Sequence, residues 1–109
     1  MNEPWPFADP ENVAVFTTKG IADGHLPILL VAHDTDDGAW QFLGTEGPAE
    51  DLIRIVALSE IVAIDPSLKS LADLPEGWIA ERESANSEWK RREDSEHAPP
   101  AGRGEAPRP

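Results

Sequence analysis

The stretch Val13-Ala14-Val15-Phe16-Thr17-Thr18 is β-branched and alternating, and it predicts the first strand of a sheet. Lys19-Gly20 and Asp23-Gly24 punctuate a connection, after which the apolar run from Ile28 to His33 predicts a second strand. Asp37-Gly38 then turns the chain into a third, Trp40 to Leu43. An Asp-Gly pair suits a two-residue type I′ turn, because both central residues take positive φ, which Gly adopts freely and Asp tolerates. That turn sets Thr35 opposite Trp40, His33 opposite Phe42 and Ala32 opposite Leu43. Leu29, Val31, Trp40 and Phe42 then share one face, and Leu30, Ala32 and Leu43 share the other. Both faces are apolar, so the hairpin is expected at the centre of the sheet, covered over at least part of each side.

A loop from Gly44 to Pro48 leads to Ile53-Arg54-Ile55-Val56-Ala57-Leu58, a fourth strand. Leu58, Ile61 and Val62 fall at i, i+3 and i+4 with Ser59-Glu60 near the start, which predicts a short helix. Asp65-Pro66 is a restart signal, Asp capping and Pro in the first position of a second short helix with Leu68, Leu71 and Ala72 as its apolar stripe. Pro75-Glu76-Gly77 closes it. Trp78 to Glu83 reads as a final strand, with Trp78, Ala80 and Arg82 on one face, or as a helix; six residues do not separate the two periods. Residues 1–12 carry Pro4, Pro6 and Pro10 and form an extended lead-in from which Trp5 and Phe7 can reach the core. From Glu93 to Pro109 there is no large apolar residue, and an acidic Pro/Gly-rich tail of that kind is expected to be disordered. The expectation is one α+β domain over residues 13–92: an antiparallel sheet of four or five strands around a central Asp-Gly hairpin, with two short helices.

Composition narrows what such a domain can do. The 109-residue chain has no cysteine, which excludes disulfide staples, thiolate metal sites and cysteine nucleophiles. Its longest apolar run, Ile28 to Ala32, is far too short to cross a bilayer, and Met1-Asn2-Glu3-Pro4 lacks the basic and apolar regions of a secretory signal. A cytoplasmic location is the expectation. Nine Lys and Arg stand against 21 Asp and Glu, a formal net charge of −12. Glu93, Asp94, Glu96 and Glu105 against Arg103 and Arg108 leave −10 of this on residues 1–92. A body so charged repels phosphate backbones and anionic lipid, and it attracts basic proteins over long range. The expected partner is therefore another protein, with neither nucleic acid nor membrane.

The hairpin segment Val31-Ala32-His33-Asp34-Thr35-Asp36-Asp37-Gly38 is the place where metal chemistry would be sought. A calcium loop of the EF-hand kind needs oxygen ligands at positions 1, 3 and 5, Gly at 6 and Glu at 12. Counting from Asp34 puts Gly38 at the fifth position and Thr45 at the twelfth; counting from His33 puts His and Thr at the first and third. Neither register works. A small metal- or ligand-dependent enzyme using His33, Asp34 and Asp36 is the alternative, but adjacent strand residues such as His33 and Asp34 point to opposite faces. Asp36 and Asp37 lie in a turn that exposes them to solvent, not in the enclosed setting a general acid needs. His25 and His97 have no partner at ligand spacing, Ser59 and Ser67 suit helix starts, and no phosphate loop, nucleophile elbow or His-Glu-x-x-His motif is present. The reading is a protein that is not an enzyme and needs no cofactor. Asp34, Asp36 and Asp37 are candidate protein contacts, and so is Trp89, which sits among Ser87, Glu88 and Lys90. Trp40 and Trp78 alternate with apolar residues and are assigned to the core. The run Lys90-Arg91-Arg92 is too short for a nucleic-acid patch and reads as a charge cluster.

These same segments carry a resemblance. Pro27-Ile28-Leu29-Leu30-Val31 leading to His33-Asp34, Asp37-Gly38-Ala39-Trp40-Gln41-Phe42-Leu43, Asp65-Pro66-Ser67-Leu68, Leu71-Ala72-Asp73-Leu74-Pro75 and Gly77-Trp78 are similar to a set of small, mostly uncharacterised bacterial proteins. The likeness runs over residues 13–92 and takes in Arg82 and Trp89. More distantly, the acid-Gly-Trp-Phe hairpin resembles the immunity-protein 33-like domain family, from which the chain departs at Gly44-Thr45-Glu46-Gly47. That resemblance implies direct binding and neutralisation of a co-encoded toxin, with no catalytic residues to carry over. The expected function is thus a non-enzymatic protein-binding module of the immunity-protein kind, its partner a basic toxin.

Overall fold

Six strands form, not the four or five expected, and one of their pairings is parallel. In the computed structural model, which describes residues 4–46 and 50–93, they are β1 (Ala14–Thr18), β2 (Leu30–His33), β3 (Trp40–Leu43), β4 (Ile53–Ala57), β5 (Trp78–Glu81) and β6 (Lys90–Glu93). They lie in the order β4-β1-β3-β2-β5-β6, with β1 and β3 parallel and every other neighbouring pair antiparallel. The mixed character follows from one skipped position. After β1 the chain returns antiparallel as β2 but leaves a gap, and the hairpin strand β3 fills it, so β3 runs with β1. Alternation along the chain reports which residues share a face, not which strands become neighbours.

The hairpin differs from its prediction by two residues. His33 pairs with Trp40, Val31 with Phe42 and Leu30 with Leu43. Asp34 N–H donates to Ala39 C=O at 2.8 Å, which closes a loop of Thr35 to Gly38. A type I′ turn would need positive φ at Asp37 as well as Gly38, and only Gly38 has it, at 70°. Instead the Asp37 carboxylate accepts the Ala39 N–H at 3.0 Å, a local bond that makes the longer loop. A slip of one residue would have exchanged the faces; a slip of two preserves them. Leu29, Val31, His33, Trp40 and Phe42 therefore still lie on one side.

That side is the core. Val15, Val31, Phe42 and Ala80 are buried on it under Leu58, Ile61 and Val62 of helix α2 and under Leu68, Leu71 and Leu74. Helix α1 (Lys19–Ala22) is a single turn in the β1–β2 connection, unforeseen because Gly20 sits inside it, and it buries Ile21. Helix α2 (Leu58–Ile64) has the predicted apolar stripe. Its entry is half a capping box, since Glu60 Oε1 accepts the Ala57 N–H at 2.9 Å while Ala57 has no side-chain acceptor to return the bond. The second helix is a 3-10 segment, Pro66–Leu71, with Asp65 capping Ser67 N–H. Leu68 and Leu71, three residues apart, stack one above the other in that tighter spiral. The lead-in docks as expected: Phe7 is buried, its ring edge-on to Trp40 at 5.4 Å, and Trp5 Nε1 donates to Asp9 C=O.

Trp78–Glu81 is a strand, which resolves the choice left open by its periodicity. The Lys90-Arg91-Arg92 run belongs to an edge strand, β6, paired with β5 from Trp78↔Glu93 to Glu81↔Lys90. An all-charged edge carries no apolar alternation to read, and it is a common way to stop further strand pairing. The predicted disordered tail lies outside the described residues except for Glu93. Among the described residues no helix is long and apolar enough to cross a membrane.

Candidate functional site: the open face of the sheet

The residues singled out from the sequence do not converge. His33 projects into the core side, stacked on Trp40 with ring centroids 3.9 Å apart and Nδ1 2.7 Å from the Leu74 carbonyl oxygen. Asp34 projects to the opposite side, where its Oδ2 accepts from Gln41 Nε2 at 2.8 Å. Asp36 and Asp37 are exposed in the loop. Among the described residues no three His, Asp or Glu side chains come together in a metal-binding arrangement.

Trp89 is elsewhere again. It precedes β6 beside the Glu81 end of β5, whereas the aspartate loop lies beyond the His33↔Trp78 end of the same strand pair. Its indole Nε1 donates to Ser67 Oγ at 3.1 Å, and the Arg82 guanidinium sits over its ring at 4.1 Å. Arg82 is the pin of this end of the fold. Its side chain is only 2% exposed, and it donates to the carbonyl oxygens of Ile28 and Ala85, to Ser67 Oγ and to the Asp65 carboxylate. Burial opposes ionisation of Asp65, but bonds from the Ser67 hydroxyl, Arg82 and the Ser67 N–H outweigh it and hold the carboxyl below its ordinary value. Trp89 is thus tied into a structural cluster.

The feature that stands out lies on the other face of the sheet. Phe16, Ile53 and Ile55 are 40%, 44% and 64% exposed. They are neighbours by register, since Phe16 pairs with Ile55 and Thr18 with Ile53, and all four side chains point away from the helices. Leu58 N–H donates to Val13 C=O, which marks the Val13–Leu58 pair as a directly bonded one. In an antiparallel ladder such pairs alternate with open ones, whose side chains stand closer together. Phe16–Ile55 and Thr18–Ile53 are therefore open pairs, an aromatic and a β-branched residue in direct cross-strand contact. Gln41, partner of Phe16 in the parallel ladder, extends the same surface to β3, where Leu43 and Leu30 continue it.

Towards β5 this face closes over: Ala32 and Ile79 are buried, with the Arg92–Glu81 ion pair beside Ile79. Towards β4 it opens into a groove of 480 Å³ lined by Phe16, Thr18, Leu30, Gln41, Leu43, Gly44, Glu46 and Ile53. Among the described residues Glu46 is the only charged one that lines it. Its carboxyl is held below the ordinary value, first by the nearby Thr18 hydroxyl and then by the Gly20 N–H, which its Oε1 accepts at 2.9 Å. The Thr18 hydroxyl is buried, yet it falls short of good hydrogen-bond geometry with any acceptor among the described residues.

The β4 edge beside this face is less open than the face itself. The same alternation turns the backbone groups of Ile53, Ile55 and Ala57 outward. Of these, the Ala57 N–H is taken by Glu60 and the Ile53 C=O by Arg54 Nη1 at 2.9 Å. Both sheet edges are thus guarded, β6 by charge and β4 by its own side chains. What remains for contact is the apolar surface. Sequence reasoning did not find it, although the signal is there: Phe16 and Ile55 are large apolar residues of opposite parity to Val15 and Val56, so two neighbouring strands are apolar on both faces.

Comparison with protein-family models, with curated proteins and with solved structures gives no match to this chain.

Proposed function

We propose that the chain is a non-enzymatic protein-binding module that takes a basic protein onto the open face of β4, β1 and β3. The observation that carries this reading is the group Phe16, Ile53 and Ile55, three large apolar side chains that the register sets side by side on one face and leaves exposed. Contiguous apolar patches on small domains mark contact surfaces, whereas scattered single residues do not. The net charge of −12 supplies the sign of the partner. It also disfavours a second copy of the chain, because two such bodies repel on approach. A toxin bound in the cytoplasm is the partner that the resemblance to immunity proteins implies, and it fits a body that recruits basic proteins.

The contact is assigned to the face and not to the aspartate loop. Asp36 and Asp37 are solvated carboxylates with no apolar neighbour to anchor a partner, and exposed charges of that kind steer association more than they hold it. The test is affinity capture with the full chain from lysate of its source cells, in low and in high salt. Wild type is compared with Ile53→Glu/Ile55→Glu and with Asp36→Asn/Asp37→Asn. The expected result is a basic protein retained by wild type, released by salt, lost from the isoleucine variant and held more weakly by the aspartate variant. Loss from the aspartate variant alone would move the contact to the loop, and retention by all three would remove the proposal.

A further inference from the structure

The groove is walled mainly by carbon and carries the carboxylate of Glu46. Phe16, Leu30 and Leu43 supply the walls. The Glu46 carboxylate has one oxygen on the Gly20 N–H and the Thr18 hydroxyl close by; that hydroxyl is shut off from solvent, and the Gln41 amide is drawn the other way along β3, to Asp34. Among the described residues no cation lines the groove, and the nearby Lys19 holds Asp23 at 2.8 Å. An apolar channel that carries one carboxylate matches a long alkyl stem carrying a positive head.

We propose that this groove seats a lysine side chain of the basic partner, its methylenes against Phe16, Leu30 and Leu43 and its ammonium on the Glu46 carboxylate. The inference rests on reading this face as the partner contact. Lysine is favoured over arginine by geometry. A guanidinium is recognised best by a carboxylate with both oxygens free to take its fork, and Glu46 has committed one to the backbone. An ammonium is a compact point charge and needs only a single free carboxylate oxygen.

The test is titration of the 15N-labelled full chain with N-acetyl-lysine methylamide, followed by amide chemical shifts at low salt. N-acetyl-norleucine methylamide, with the stem but no ammonium head, and the arginine analogue are the comparators. The proposal expects saturable shifts at Thr18, Leu43 and Gly44, in the millimolar range appropriate to one side chain. It expects affinity at least several-fold weaker for norleucine, and for lysine on Glu46→Gln, which keeps the Gly20 bond and removes the charge. Equal binding of norleucine, tighter binding of arginine, or shifts confined to the Asp34–Asp37 loop would each overturn it, as would the absence of saturation. Should the lysine probe fail while Ile53→Glu/Ile55→Glu still abolishes capture, the groove assignment falls and the face stands. Should the isoleucine variant retain the partner, the reading of the face falls, whatever the probe does.

Discussion

Arg82→Met removes the one buried charged side chain among the described residues, and its cost can be worked from its contacts. Four acceptors lose the Arg82 donor: the carbonyl oxygens of Ile28 and Ala85, Ser67 Oγ, which keeps Trp89 Nε1, and the Asp65 carboxylate, which keeps the Ser67 N–H and hydroxyl. Truncating one member of a buried ion pair typically costs about 3–5 kcal/mol, because the other charge is left without compensation. Asp65 is 21% exposed, so water recovers part of its solvation and places the loss near the lower bound, about 3 kcal/mol. Methionine keeps most of the stem volume, which limits any cavity, and gives up the guanidinium stacked on Trp89. For a domain of this size about 3 kcal/mol corresponds to a fall in Tm of roughly 12–24 °C. Urea unfolding of wild type and variant, with m unchanged, is the assay. A loss under about 1 kcal/mol would refute the reasoning, since that is what a surface pair contributes. Acid adds a second reading of the same cluster. The Asp65 carboxyl is lowered in the folded state, so its contribution to stability is complete above the ordinary aspartate value and is lost as pH falls through the folded one. Below about pH 4, wild type is expected to lose stability more steeply than Arg82→Met, in which Asp65 has lost its cation.

Trp40→Phe keeps the ring contacts with Phe7 and His33 but deletes the 2.8 Å bond from Nε1 to the Asp9 carboxylate; a loss of about 1–2 kcal/mol is expected by urea titration, together with earlier proteolysis ahead of β1. Gly38→Ala puts a side chain at φ 70° and its Cβ 2.8 Å from Glu76 Oε2, so a destabilisation of about 1 kcal/mol is expected by thermal melting, and none would contradict the loop geometry. Glu60→Ala frees the Ala57 N–H at the α2 entry and is expected to cost about 1 kcal/mol. Ile55→Glu, at a residue already 64% exposed, is expected to leave Tm within about 3 °C of wild type, which separates a binding role from a structural one.

Legibility in the sequence followed the reach of each signal. The sidedness of the hairpin was readable because a period of two survives a register slip of two, so Val31, Trp40 and Phe42 kept their face although His33 met Trp40 instead of Phe42. The stripe Leu58, Ile61 and Val62 and the Asp65-Pro66 start were readable because they are local. The parallel β1–β3 contact was not, since the position skipped between β1 and β2 is set by packing over more than twenty residues. β6 was hidden because Lys90 to Glu93 has no apolar position at all. At the candidate site, the divergence of His33 and Asp34 followed from alternation alone. Trp89 was read as a candidate contact because its neighbours in sequence are polar, while its neighbours in space, Arg82 and Ser67, are distant along the chain. The open face was present in Phe16 and Ile55, but alternation cannot say whether an apolar face is covered by its own chain.

Amide hydrogen exchange on the reconstituted complex with the captured partner bears most directly on the assignment of that face. Protection on binding is predicted at Ala14–Thr18, Trp40–Leu43 and Ile53–Ala57, the strands that carry Phe16, Gln41, Leu43, Ile53 and Ile55. Protection confined to the Asp34–Ala39 loop or to Lys90–Glu93, with β1 and β4 exchanging as in the free protein, would contradict it.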